Sequence, residues 1–246
     1  MIDSETFASL KAHLMDLEEK SMTWHKTMCS NFLNEEEVAQ MQVYFPTSNH
    51  IVYSGGYPEA RKKKIVFRYD EEDDFFDIVC ISARIDQRFR KIGHRDILGA
   101  LMHLQIDRHS FGDFWVADEH IYLYTSHSMA DFLCNNLTRI NQLSVHFEVL
   151  DTYPAQTFQT KIVTCIIASE RLDALVAGIA HISRSKAKEM IRQGLVQVNH
   201  ITLEAPDKLC DNNVTISIRG FGRYKYLGIL RNTKSDRILA EIEVSI

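Results

Sequence analysis

The sequence has no apolar run of the roughly 20 residues needed to cross a bilayer. It also lacks the basic start and apolar block of a secretory signal; its opening segment, MIDSETFASLKAHLMDLEEK, mixes acids with periodic apolar residues instead. A cytoplasmic protein with no membrane partner is the expectation. Cysteines are few and follow no pairing pattern: Cys29, Cys80, Cys134, Cys165 and Cys210 are odd in number and never spaced C-x-x-C, which speaks against a zinc ribbon, a redox pair or a disulfide framework. Cys80 in FFDIVCIS and Cys165 in KIVTCIIAS fall within expected strands, where a thiol serves as a small packed side chain. A P-loop, cofactor-binding glycines and an HExxH pair are absent too. The expected inventory is therefore no cofactor, no metal site and no catalytic residue.

What is present describes a globular chain. Hydrophobic residues at 45% and charged residues at 25% exclude fibrous and disordered classes, and 246 residues suffice for two or three modules, each with its own core. The net charge of −5 is unevenly divided. Residues 169–246 hold 12 Lys and Arg against 9 Asp and Glu, net +3, leaving −8 on residues 1–168. A basic face can thus exist on an acidic whole.

Periodicity predicts an α+β protein. Residues 3–45 read as helical, with Phe7, Leu10, Leu14 and Leu17 at spacings of three and four. Asn34 caps a second helix whose first turn holds Glu35, Glu36 and Glu37, and Pro46 ends it. Two short strands, HIVYSGG and KKIVFRY, follow, with Gly55, Gly56 and Pro58 turning between them. Next come FFDIVCISARI, DILGALMHLQ, FWVAD, HIYLYT, MADFLCNNLTRI and SVHFEVL. Their order is β-α-β-β-α-β, the RRM-like or ferredoxin-like pattern. The expected domains are an N-terminal helical region with short strands at 1–73, the ferredoxin-like module at 74–152, a connecting strand and linker at 153–167, and a basic module at 168–246. No RNP run is present, so Phe75, Phe76, Phe114 and Trp115 read as core before they read as base-stacking residues.

In SERLDALVAGIAHISRSKAKEMIRQGLVQVN, Ser183 stands as an N-cap and Gly194 as the closing residue of a helix. Ala187 with Met190 or Ile191 forms its apolar face, while Arg184, Lys188 and Arg192 repeat every fourth residue as a cationic row. A helix whose charges serve only solubility has the same pattern. What favours binding is clustering: Arg171 precedes the helix and Arg219, Arg223 and Lys225 follow it in RGFGRYK, an arrangement suited to the phosphates of folded RNA. Charges on such a row are expected to contribute little to folding.

ERLDALVA, ISRSKAKEMIRQGLVQVN and RGFGR together resemble the S4 RNA-binding domain, the alpha-L motif, over about residues 169–226. The departures are His200, where glycine commonly follows the asparagine, and Asn213, where aspartate is usual. The expected RNA-contacting set is Arg171, Ser183, Arg184, Ser185, Lys186, Lys188, Arg192, Asn199, Arg219, Arg223 and Lys225. SGGYPEARKKKIVF, HRDILGALMHLQIDRHSFGDFWV and TKSDR extend the resemblance to the bacterial YlmH family, with Gln105 at a usual glycine position. That resemblance implies a non-catalytic protein of ribosome-associated quality control. Its implied partners are structured rRNA and tRNA, on large ribosomal subunits that carry stalled peptidyl-tRNA, alongside alanine tailing of the nascent chain. A protein-binding adaptor linked to cell division, or an accessory factor of RNA modification, is the alternative. Oligomeric state stays open.

Three further features have bland readings. Arg171-Leu172-Asp173 imitates the catalytic R-L-D of pseudouridine synthases but lacks the T-S-G that follows there, so Asp173 reads as a helix-start carboxylate or a partner for Arg171. The acidic run Asp70 to Asp74 reads as a solvated loop. Arg61 to Lys64, with Arg84, Arg88, Arg90, Lys91 and Arg95, form a second basic group that suits either an RNA contact or solubility.

Overall fold

Ser4–Thr23 forms α1, which buries Leu14 and Leu17 and rests Phe7 and Leu10 against the same core. The computed structural model describes residues 4–86, 88, 91–157, 160–233 and 237–245. Arg90 of the second basic group and Lys234, Ser235 and Asp236 of TKSDR lie outside the described residues. The chain divides into two compact units, Ile2–Gln156 and Thr157–Ile246.

In the first unit, helix α1 is followed by the short strand β1 (Met28–Cys29) and by α2 (Glu35–Met41). Asn34 caps α2 in a capping box: its side chain accepts from the Glu37 amide at 3.0 Å, and Glu37 accepts from the Asn34 amide at 2.7 Å. Periodicity alone reads 3–45 as helical and misses β1, because β1 forms by pairing with residues 37 to 39 positions away. Met28 stands opposite Phe67 in β3 (Lys64–Phe67), which also pairs with β2 (Ile51–Ser54). Gly55 and Gly56 then serve packing. A Cβ on Gly55 would meet the Lys62 carbonyl at 2.3 Å, and one on Gly56, at φ +95°, the Tyr124 ring at 2.4 Å.

The β-α-β-β-α-β module follows as β4 (Val79–Arg84), α3 (His94–His103), β5 (Phe111–Ala117), β6 (His120–Thr125), α4 (His127–Asn136), the small hairpin β7 (Arg139–Ile140) and β8 (Leu143–Ser144), and β9 (Glu148–Val149). The sheet order β5-β6-β4-β9, antiparallel throughout, is the ferredoxin-like order. Phe75 and Phe76 stay outside β4, since Asp77 at φ 47° breaks the extended run before it begins. One face of this sheet packs Ile81, Ile121 and Leu123 against Ile97, Leu101 and Leu133 of the two helices.

The other face is the one on which RRM modules stack bases. Here it is filled from within the unit: Trp115 and Tyr124 are buried under Phe32, Tyr57 and Ala60. Tyr57 lies 5.6 Å from the Trp115 ring and 5.3 Å from that of Tyr124, whose hydroxyl donates to the Pro154 carbonyl at 2.7 Å. Phe114 is likewise buried, on the helix side. Phe76, Phe114 and Trp115 thus pack in or against the core as expected, whereas Phe75 is 53% exposed and stacks on His127. Burial pushes the Cys80 thiol up to about 12, the behaviour of a packed side chain.

Gln105, which stands at a usual glycine position, closes α3 at φ 56°. A left-handed L-residue costs about 1–2 kcal/mol, and glycine's extra unfolded-state entropy returns about half of that. Gln105→Gly is therefore expected to raise stability by about 0.5–1 kcal/mol, read as a higher midpoint in urea; a lower midpoint would mean that the side chain makes interactions outweighing its strain.

The second unit holds β10 (Thr160–Ile167), α5 (Leu172–Ala180), α6 (Arg184–Arg192), β11 (Val196–Val198), β12 (Ile201–Thr202), β13 (Val214–Ile218), β14 (Gly222–Asn232) and β15 (Ile238–Ser245). Its sheet runs β10-β15-β14-β13-β11-β12 with antiparallel neighbours. Leu175, Val176, Ala187 and Ile191 of the helices close one face over Ile216, Ile218, Tyr226 and Ile242. His200 and Asn213 both adopt positive φ, 67° and 64°, in tight turns.

Candidate nucleic-acid interface

Helices α5 and α6 are joined by a turn of three residues. His181 takes a left-handed conformation, the Ile182 amide donates to the Ala177 carbonyl, and Ser183 caps α6 by accepting from the Lys186 amide at 3.2 Å. Gly194 closes α6 at φ 68°, with the Leu195 amide reaching the Met190 carbonyl. Buried Ala187, Met190 and Ile191 hold the helix to the core, which leaves its charged side chains outward.

The charges are not an independent row. Asp173, in the first turn of α5, is 0% exposed and gathers three cations. Arg184 donates to both of its oxygens, Nε and Nη2 each at 3.0 Å, while Arg171 Nε lies at 3.5 Å and Lys188 Nζ at 3.6 Å. Burial raises the Asp173 carboxyl, but the Arg184 hydrogen bonds and the charges of Arg184, Arg171 and Lys188 outweigh it and hold it below the usual range. Local spacing offers Asp173 only a helix-start role or a partnership with Arg171; its main partner is Arg184, eleven residues away, which no helical spacing reveals.

The hub keeps a surplus of positive charge, since three cations, each about 40–45% exposed, share one carboxylate. Arg184 spends two of its five N–H donors on Asp173 and can direct the others to a phosphate. The α5 amides, by contrast, are taken: Leu172 donates to Lys208 and Asp173 to Pro206, both backbone carbonyls at 2.9 Å. Anion binding at this place belongs to side chains. Ser185, Lys186 and Arg192 are exposed on α6, Lys186 pairing with Glu189 at 3.0 Å.

The remaining candidates separate. Arg219 is exposed at the tip of the β13–β14 hairpin, and its amide donates to the Leu195 carbonyl just past the end of α6, so it shares that end with Arg192. Arg223 and Lys225 stand opposite Ser217 and Thr215. Because Val214, Ile216 and Ile218 face the core, these pairs lie on the open face of the sheet, away from the helices. Asn199 is a turn residue at φ 48° whose side chain accepts from the Thr215 amide at 2.9 Å. The structure thus brings Arg171, Arg184 and Lys188 together, flanks them with Ser183, Ser185, Lys186 and Arg192, and sets Arg223 and Lys225 apart.

Among the described residues no group of three or more His, Cys, Asp or Glu side chains is arranged to hold a metal ion, and no helix is long and apolar enough to cross a membrane. Comparison with known proteins matches residues 70–153 to the family described as "Putative RNA-binding domain in YlmH" and residues 170–215 to the S4 domain. The chain is similar to the "Ribosome-associated protein quality control protein P2" of Bacillus subtilis, 31% identical over 222 residues, which cover 87% of this chain and 85% of that one. Among solved structures it is similar to "Cell division protein ylmH from Streptococcus pneumoniae", with a TM-score of 0.48 and 18% identity, over 61% of this chain and 92% of that one.

Proposed function

Because this chain belongs to the YlmH family of S4-domain RNA-binding proteins, we propose that it binds structured rRNA and tRNA on the large ribosomal subunit, at complexes that retain peptidyl-tRNA. In this reading it acts without chemistry of its own, in the cytoplasm, as part of quality control on stalled ribosomes. Residues 168–246 are the RNA-binding module.

One observation carries the reading: the Asp173 hub, which presets three cations on a helix pair before any RNA arrives. Side chains held in place lose little rotamer freedom on binding, so more of each phosphate interaction appears as affinity. The surplus charge accounts for attraction to phosphate, and the fixed geometry suits the shape of folded RNA better than it suits a flexible chain. The buried thiols and the match to two RNA-binding families support a binding role over a catalytic one.

Crosslinking in cells, followed by sequencing of the attached RNA, tests this directly. Helices of large-subunit rRNA together with tRNA are the expected partners. Recovery confined to messenger RNA or small-subunit rRNA would overturn the placement.

A further inference from the structure

The loop SGGYPEARKKK belongs to the first unit, outside the S4 motif in sequence, and is held by several polar contacts. The Asp113 carboxylate on β5 accepts from the Tyr57 hydroxyl at 2.7 Å and from the Arg61 and Lys62 amides at 2.7 and 3.2 Å. Its negative charge is turned into the loop. Lys62 is folded inward, donating to the Arg108 and Phe111 carbonyls with its ammonium 4.3 Å from the centre of the Phe111 ring. Among the described residues two of its three N–H groups are occupied, by the Arg108 and Phe111 carbonyls.

These residues border a cavity of about 310 Å³ lined by the cations Arg61, Lys62 and Arg108, the carboxylates Glu35 and Asp113, and the rings of His94 and Phe114. Its size falls at the lower end of small-ligand pockets, about 300–1,000 Å³. His94 is exposed and stacks on the buried Phe114, with centroids 4.2 Å apart and planes at 21°. Phe114 fixes the ring, leaving its outer face to solvent. A flat ring beside three cations, which outnumber the two carboxylates of the lining, is the pairing by which single-stranded nucleic acid is held, stacking for the base and charge for the backbone.

We propose that this cavity takes one nucleotide of single-stranded RNA, its base on the outer face of His94 and its phosphate on Lys62, Arg61 and Arg108. Burial lowers Lys62 to about 8 despite the opposing pull of Asp113 and Glu37, and a phosphate beside it would favour its charged form. The site replaces the sheet face on which RRM modules stack bases, which here is filled by Phe32 and Tyr57. It rests on the RNA-binding reading but not on the surface of α6.

The test uses the full chain and a single-stranded tetranucleotide RNA carrying 2-aminopurine, too short to form a hairpin. Saturable quenching of the fluorophore is expected. His94→Ala should weaken binding roughly tenfold, within the range for loss of one stacked base, and His94→Phe should bind as the parent does. Arg108→Gln should flatten the slope of log affinity against log salt by about 0.7. Replacing Lys186 and Arg192 with glutamate should leave the tetranucleotide affinity unchanged while weakening binding to a folded hairpin. No quenching by the parent chain, equal affinity for His94→Ala, or a His94→Phe protein as weak as His94→Ala would each overturn the pocket and leave the reading of α6 standing. Failure of the parent chain to bind the hairpin, with the tetranucleotide still bound, would do the reverse.

Discussion

The chain carrying Lys186→Glu and Arg192→Glu is expected to bind structured RNA about 100-fold more weakly than the parent, with no measurable loss of fold stability. Each reversal removes a cation from the outward face of α6 and sets a like charge against phosphate, a juxtaposition that costs several kcal/mol where it is close. The slope of log affinity against log salt should also flatten, by roughly 0.7–0.9 for each phosphate that is no longer neutralised. Stability is spared for local reasons. The Lys186–Glu189 pair is about half exposed on both sides, the class of ion pair worth about 0–1 kcal/mol. A glutamate at 186 also completes the spacing S-x-x-E after Ser183, which caps α6. Fluorescence anisotropy on an rRNA hairpin across a salt series, paired with thermal unfolding, reads both quantities. Unchanged affinity would remove α6 as the RNA surface and advance the adaptor reading.

Arg184→Glu behaves differently, and its expected cost is about 3–4 kcal/mol of stability in the second unit. Substitution removes the two hydrogen bonds on a carboxylate that is 0% exposed and adds a second acid beside it. Removing one partner of a fully buried pair costs about 3–5 kcal/mol, discounted here because Arg184 is 45% exposed and Arg171 and Lys188 remain. For a unit of this size that corresponds to a fall of roughly 12–30 °C in the unfolding midpoint. Periodicity predicts that cationic residues on an exposed helix matter little to folding; the structure alters that expectation for Arg184, since its row contains a structural anchor.

The same hub fixes a sign for pH. The Asp173 carboxyl is depressed in the folded state, so its contribution is fully present above the unfolded carboxylate value near 4 and is lost as pH falls through the lower folded value. The parent should therefore lose its stability advantage over Asp173→Asn only below about pH 4. In a double-mutant cycle, Asp173→Asn with Arg184→Met should recover about 1–2 kcal/mol relative to the sum of the single losses, as coupled neighbours do. Additive losses would mean that the two side chains act separately.

Much of the architecture is written in local pattern. Asn34 and Ser183 announce their helices by capping chemistry that acts within one turn. Gly194 announces a helix end, and the β-α-β-β-α-β order follows from segments whose period changes from two to 3.6. The cationic residues of α6 are legible for the same reason, since four-residue spacing sets side chains on one face whatever else the chain does. Where the local signal conflicts with tertiary context it misleads: residues 24–34 follow a helical stretch, yet β1 forms because β3 offers unpaired backbone groups beside it.

What the amino-acid order determined by itself is therefore the main helices, the β-α-β-β-α-β succession, and a basic C-terminal third carrying an S4 pattern. What only the tertiary structure decided is which charges meet. Asp173 and Arg184 belong to different helices, Asp113 reaches the SGGY loop from some fifty residues away, and Arg223 and Lys225 are turned from α6 by the pleat of a sheet whose faces are assigned by burial. The physical reason is range. Capping, turn chemistry and periodicity act over a few bonds of one chain, whereas ion pairing and burial depend on distances that exist only after the core has closed.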